Sequence, residues 1–271
     1  MEQTGQGVTG GQLPSIPDYN LKVCVPVYSD TCDNHKMSLM ETERAGIKFT
    51  YQVCQSALPA LARNLLINED GKTTVRQTLK GDYTHYLFID ADIAWRPQDI
   101  LQLLARRRHI VSGSYVARGT HDCYQAGRWE HAVGNPGELV KRNSTGMHKV
   151  DWVGGGFLMV TKMALEHMNH PWFRHRLVEI DEDVGEGKVI RHAIEANEDC
   201  GFCLNAVKSG VPVYLDCDTE VEHVTEFDVP PLRLTPPATP FEVTKEPSGP
   251  GIAIPASMLH KGSDGASGKN G

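Results

Sequence analysis

The sequence predicts an α/β protein in which helices cover a central sheet, and two observations carry that expectation. Short apolar runs rich in Val, Ile and Phe alternate with longer segments of helical periodicity, the pattern of a layered α/β domain rather than of a bundle or a sandwich. The two ends of the chain lack such runs. The stretch before Leu21 is rich in Gly and Gln, and from Val229 onward the chain holds half of its 16 prolines and ends in KGSDGASGKNG, too little apolar surface to offset the entropy of ordering. The expected organisation is a flexible segment over residues 1–20, one folded domain over 21–228, and a Pro/Gly-rich extended or disordered tail over 229–271.

In chain order, Leu21 to Tyr28 (LKVCVPVY) reads as a buried first strand. From Leu39 to Asn68 the patterning is helical around a strand near Ile47 to Val53, and Gly71 marks the end of that region. Thr84 to Ile93 (THYLFIDADI) is a strand running into two acidic residues. Pro97 and Asp99 then open a helix through Ile100 to Arg107, since proline in a first turn lacks only an N–H that the helix does not use. HIVSGSYV is the next strand. After Gly154 to Gly156, helices are expected over about Thr161 to Met168 and over Glu198 to Ser209, with Gly210 as the stop and a strand, VPVYLD, from Val211.

Composition narrows the function classes. With 27 basic against 34 acidic side chains the formal charge is −7, which argues against indiscriminate polyanion binding but leaves room for a local basic groove. No stretch nears the roughly 18 apolar residues of a membrane span, and the first residues lack the basic and apolar segments of a signal peptide, so a cytoplasmic protein with no membrane partner is expected. The 7 cysteines are odd in number and dispersed, which suits small reduced core residues better than a disulfide framework.

Three places carry chemistry. Asp90-Ala91-Asp92 stands at the carboxyl end of an apolar strand, where open α/β sheets bind ligands. In an extended segment both carboxylates project to one side and can meet one hard cation; alternatively one caps the next helix and the other is solvated. Asn197-Glu198-Asp199 opens a helix whose dipole favours ionised carboxylates, making Asp199 a candidate general base, or Asn197 is a cap followed by two ordinary first-turn acids. His223 follows a strand; its imidazole suits a borderline cation such as manganese, and equally a structural role.

Taken in order, THYLFIDADIAW, WVGGGFLMVTK, NEDCGFCLNAVKSGVPVYLD and EVEHV resemble the GT-A glycosyltransferases, in particular small soluble family-2-like transferases of the type bacteriophages encode. The similarity covers Leu21 to Thr225. It implies that 21–228 is a GT-A catalytic domain, Rossmann-like, with a central mixed, mostly parallel sheet. By the same resemblance, Pro26 and Tyr28 approach the nucleotide of a donor, Asp90 contacts ribose or metal, Asp92 is the principal ligand of a divalent cation (manganese or magnesium), and His223 is its last ligand. Trp152 and Gly154 would face the acceptor, while Gly155 and Gly156 would face the donor sugar and let it approach closely. Asp199 matches the base of inverting members, Glu198 is its neighbour, and Arg63 with Asn64 belongs to a helix facing the donor, although Arg63 also fits a solvated helix face.

The activity so implied is metal-dependent transfer of a sugar, with UDP-glucose as donor, to a hydroxyl acceptor, with inversion or retention left open. The acceptor is a hydroxymethylated pyrimidine in DNA, or a glycan or protein. Arg106-Arg107-Arg108-His109, Arg118, Lys141-Arg142, His148-Lys149 and Arg174-His175-Arg176 would track phosphates if they converge. For a phage-encoded chain the compartment is the host cytoplasm. Many relatives carry serine where this chain has Asn197, and the charged insertion Val178 to Ala196 reads as a mobile lid or a loop. Cys200 and Cys203 form a C-x-x-C without a second ligand pair at zinc-site spacing. Two rivals remain. A nucleotidyltransferase would carry a glycine-rich loop where Tyr28 to Cys32 has no glycine, and a binding module would hold nucleotide sugar or nucleic acid without turnover.

Overall fold

The computed structural model describes residues 16, 18–68, 79–116, 122–128, 139–183, 185 and 188–224. Gly71, Arg118, most of 1–20 and the whole tail 229–271 lie outside the described residues. The chain runs through β1 (Leu21–Val27), α1 (Asp33–Arg44), β2 (Phe49–Gln55), α2 (Pro59–Ile67), β3 (His85–Ile89), β4 (Ile93–Ala94), α3 (Pro97–Ala105) and β5 (Ile110–Ser114). It continues through β6 (Cys123–Gly127), β7 (Leu139–Lys141), β8 (Met147–Val150), β9 (Trp152–Val153), β10 (Phe157–Thr161), α4 (Lys162–His167), β11 (Arg176–Asp183), β12 (Val189–Ala196), α5 (Glu198–Lys208), β13 (Val213–Glu220) and β14 (Glu222–His223).

Seven strands form one sheet in the order β2-β1-β3-β10-β5-β13-β8. β2, β1, β3, β5 and β13 run one way, and β10 and β8 run against their neighbours. The sheet is therefore mixed and mostly parallel, as expected. Its central strands are unbroken apolar runs because both faces are covered. Alternate residues of each strand feed opposite cores: Val23, Leu87, Ile89, Phe157 and Met159 pack with Trp95, Ile100 and Leu104, whereas Cys24, Tyr86, Phe88, Leu158 and Val160 pack with Leu66, Trp172, Phe173 and Phe202. Lys22 shares the second face. Its buried amine donates to the Leu66 carbonyl in the last turn of α2, where a cation meets the negative end of the helix.

Chain order and strand order diverge at one place. From β1 the chain moves outward to β2, then crosses back through α2 to lay β3 on the other side of β1. The loops leaving β1 and β3 therefore part in opposite directions and open a crevice at the carboxyl ends of these strands.

The structure differs from the sequence reading in four places. α1 starts at Asp33 instead of near Leu39, because its buried face is polar and invisible to hydrophobic periodicity. His35 Nδ1 donates to the Asp90 carbonyl (3.2 Å), Ser38 Oγ accepts from the Trp95 amide (2.9 Å) and Thr42 Oγ1 from the Trp95 indole (3.0 Å), so α1 binds the segment after β3 by hydrogen bonds. FLMVT after the glycines is a core strand, β10, inserted antiparallel between β3 and β5. The first half of the Val178 to Ala196 insertion pairs with its second half: β11 and β12 make an antiparallel hairpin with a sheet of its own, instead of an irregular loop. Strands β6 to β9 likewise carry no strong alternation in sequence and were not expected.

Arg106, at the end of α3, fastens that helix to β13. Asp216 is fully buried and accepts from Arg106 Nε and Nη2 (both 2.8 Å) and from Thr219 Oγ1 (2.7 Å). Asp216→Ala leaves Arg106 with Asp218 alone and removes the acceptor of the buried Thr219 hydroxyl, and is expected to cost about 3 kcal/mol, read as a lower urea midpoint with an unchanged slope.

Candidate active site

The crevice at the strand ends is a cleft of about 870 Å³. Its walls are the loop after β1 from Tyr28 to Cys32, the Asp90 to Ile93 segment, the start of α2, the amino end of α5 and His223. These are ends of elements, so each side chain is aimed by a rigid strand or helix behind it.

Arg63 forms the floor. It is 2% exposed and its guanidinium meets three carboxylates: Nη2 donates to Asp90 Oδ1 (2.7 Å), and Nη1 to Glu198 Oε1 (2.9 Å) and Asp199 Oδ1 (2.8 Å). Burial alone would lower the Arg63 pKa, but Asp199, Asp90 and Glu198 together raise it, so the cation is permanent. Asp199 is pulled two ways. Burial raises its carboxyl, Arg63 lowers it, and Asp90 and Glu198 raise it again, leaving a pKa of about 6. Asn197 Oδ1 caps α5 by accepting from the Cys200 amide (2.9 Å), which fixes the turn that carries both acids.

Asp92 and His223 come from distant parts of the chain and meet at the other wall. β14 pairs antiparallel with β4, placing His223 opposite Ile93, and the Val224 amide donates to the Asp92 carbonyl (2.8 Å). His223 Nε2 then lies 3.2 Å from Asp92 Oδ2. Among the described residues no group of three His, Cys, Asp or Glu side chains is arranged to hold a metal ion, and Asp90 is turned to Arg63. A carboxylate and an imidazole at this separation nevertheless suit two adjacent ligands of one cation. Asp90, Glu198 and Asp199 share a single guanidinium, so the cleft carries surplus negative charge that a cation would offset. Asp92 and His223 could thus hold a divalent ion, with diphosphate oxygens completing its shell.

Gly154, Gly155 and Gly156 are not among the residues that line the cleft, and their surroundings are protein. A Cβ on Gly155 would stand 2.5 Å from Asp199 Oδ1 and 2.8 Å from Arg63 Nη2, and a Cβ on Gly154 or Gly156 would strike Tyr115. Protein side chains occupy the space that the glycines leave open. Trp152 is likewise not part of the cleft lining: it is buried in the core beside Val153, where β9 pairs with β6. Asn64 also turns away from the donor wall. Its Oδ1 accepts from the Trp172 and Phe173 amides (3.1 and 3.2 Å) and its amide donates to Phe173 O (2.7 Å), so it satisfies a buried bend.

Pro26, Tyr28, Arg63, Asp90, Asp92, Glu198, Asp199 and His223 do line one cleft. Tyr28 is the most exposed of them, at 78%. Tyr115 and Gln125 are among the lining residues that escaped the sequence reading. Tyr115 closes β5 and could have been found as a polar residue at a strand's carboxyl end, whereas Gln125 sits in β6, which gave no strand signal. Two of the basic residues considered for phosphate tracking are engaged in ion pairs within the fold: Arg106 with Asp216 and Asp218, and Arg142 with Glu220. All seven cysteines are free, and burial pushes the Cys200 thiol up to about 12, so the C-x-x-C holds neither a disulfide nor a reactive thiolate.

No family model and no curated protein matches the chain. Among solved structures it is similar to the A197 protein of STIV, at 15% identity over 76% of this chain and 86% of that one, with a TM-score of 0.48. It is also similar to a glycosyltransferase involved in the glycosylation of the major capsid of PBCV-1, at 12% identity over 54% of this chain and 62% of that one, with a TM-score of 0.29. No helix among the described residues is long and apolar enough to cross a membrane.

Arg63→Met removes the shared counter-charge of three acids. The expected loss is about 3 kcal/mol, the lower end of the range for a broken buried pair because Asp90 keeps 34% exposure, and thermal unfolding with and without the substitution measures it.

Proposed function

We propose that this chain is a glycosyltransferase that moves a sugar from a nucleotide-sugar donor, UDP-glucose by resemblance, to a hydroxyl acceptor with the help of manganese or magnesium. The observation that carries the proposal is that Asp199 and the Asp92–His223 pair line one cleft at the sheet's switch point. A base and a diphosphate-holding pair in one cleft are the two requirements for displacing a nucleoside diphosphate from a sugar carbon.

In this reading Tyr28 and Pro26 border the nucleotide, and Asp92 with His223 would hold the cation, which supplies charge neutralisation at the diphosphate when bound. Asp199 accepts the proton of the acceptor hydroxyl. The acceptor oxygen forms its bond to the anomeric carbon as the bond from that carbon to the diphosphate oxygen breaks, and that electron pair leaves with the nucleoside diphosphate. Arg63 and Glu198 keep Asp199 in place throughout. This is the inverting form of the reaction; in the retaining form Asp199 orients the acceptor only. Because Arg106 and Arg142 are engaged inside the fold, a glycan or protein hydroxyl is favoured over a hydroxymethylated pyrimidine in DNA. Incubation with labelled donor and a panel of saccharides, protein and modified duplex DNA separates these acceptors, and sugar release from the donor with and without manganese separates transfer from simple binding.

Asp199→Asn is expected to lower kcat by about 10² or more while circular dichroism stays native. An Asp199 pKa of about 6 means the base is ionised at neutral pH and protonates below that value, so the rate should fall by about tenfold for each pH unit under it and level off above, a limb that Asp199→Asn removes. Asp92→Asn is expected to abolish manganese-dependent turnover with the fold intact. Wild-type manganese dependence in that variant would exclude Asp92 as a ligand.

A further inference from the structure

We infer that Tyr115 is the positioning residue that sets both walls of the cleft, through two separable contacts. The first is its hydroxyl, which accepts from the Gly156 amide (3.0 Å). The Gly156 carbonyl in turn accepts from the Asp90 amide (3.0 Å), and Gly155, next in the chain, is pressed against Asp199 and Arg63. The phenol therefore holds the backbone on which the base and the β3 terminus rest. The second contact is its ring, which meets the His223 imidazole edge-on with centroids 5.6 Å apart.

That ring contact matters because of what His223 lacks. A histidine that serves a metal is ordinarily oriented by a hydrogen bond at its second nitrogen. Here Nδ1 is buried without a hydrogen-bond partner among the described residues, and the contacts that orient the ring there are Asp92 at one edge and the packing against Tyr115. The local sequence is built for this tyrosine. A Cβ at Gly154 or Gly156 would collide with its hydroxyl and ring carbons, and the residue itself is buried at the end of β5, a core strand. Tyr115 also sits near enough to Asp199 and Asp90 that their charges, after burial, hold its phenol well above the usual value, so it stays protonated.

The inference deepens the transferase reading and rests on it only for its metal and rate measurements. Tyr115→Phe keeps the ring and loses the hydroxyl; Tyr115→Leu loses both. In Tyr115→Phe, hydrogen exchange at the Gly156 amide is expected to quicken by about tenfold, kcat to fall, and manganese affinity, titrated directly on the protein, to stay within about twofold of wild type. In Tyr115→Leu, manganese affinity should fall by about tenfold and the His223 ring resonances should move. In the wild-type protein, a nuclear Overhauser effect between the Tyr115 and His223 rings reports the packing without any substitution. Unchanged Gly156 exchange in Tyr115→Phe, or no ring-to-ring effect in the wild type, overturns the assignment. Both measurements are made without donor, acceptor or metal, so they decide the role of Tyr115 even if the wild-type chain neither binds manganese nor transfers sugar.

Discussion

The cleft depends on one guanidinium shared by three carboxylates. Arg63 rises from α2, Asp90 ends β3, and Glu198 and Asp199 begin α5, so a single side chain ties together elements that the sequence separates by 135 residues. Burying a cation is costly unless the anions around it return the lost hydration, and three of them do so here. Arg63 Nε has no hydrogen-bond partner among the described residues, and the guanidinium rests over the Phe173 ring at 5.6 Å. The absent Cβ of Gly155 leaves the room for this packing. Moving any one of these residues disturbs the charge balance of the others.

Around that clamp the fold is organised to fix loop ends. The sheet's reversal of order opens the crevice, but the crevice would be shapeless without the contacts that pin its walls. α1 does this from below with His35, Ser38 and Thr42, all buried and all polar, which satisfy backbone and indole groups of the segment from Asp90 to Trp95. The short β4–β14 ladder does it from the side, carrying His223 to Asp92 across 131 residues of chain. Rigid backing of this kind keeps side chains in place that would otherwise be driven apart by like charge.

Asp90, Asp92, Asp199 and His223 were legible because each stands where an apolar run or a helical pattern ends, and such ends converge on one edge of a parallel sheet. α5 was legible for a related reason: Asn197 is a good cap and Gly210 (φ 77°) a good stop. The failures share a cause as well. Hydrophobic periodicity cannot see a buried face made of His, Ser and Thr, so the start of α1 was lost. Glycine signals close approach, and at Gly154 to Gly156 the groups seen to approach are Tyr115, Arg63 and Asp199. Trp152 and Asn64 were drawn to the site by their neighbours in sequence. In a strand, and on a helix, the next residue faces elsewhere.

The same clamp also tunes the chemistry. A carboxylate as buried as Asp199 and flanked by Asp90 and Glu198 would be driven to hold its proton at neutral pH, which would make it useless as a base. A carboxylate salt-bridged to an arginine in water-exposed surroundings would err the other way, ionised but too weak to take a proton from a hydroxyl. Opposing the two effects on one residue leaves Asp199 ionised near neutrality yet more basic than an ordinary aspartate, the condition that Brønsted behaviour favours. Arg63 is divided among three acids, and the two that share it with Asp199 stand at the end of β3 and the start of α5, so in the proposed reaction the same guanidinium would both hold those elements together and offset the burial of the base. Geometry and basicity in this cleft are therefore set by the same set of ion pairs, and neither can be altered without the other.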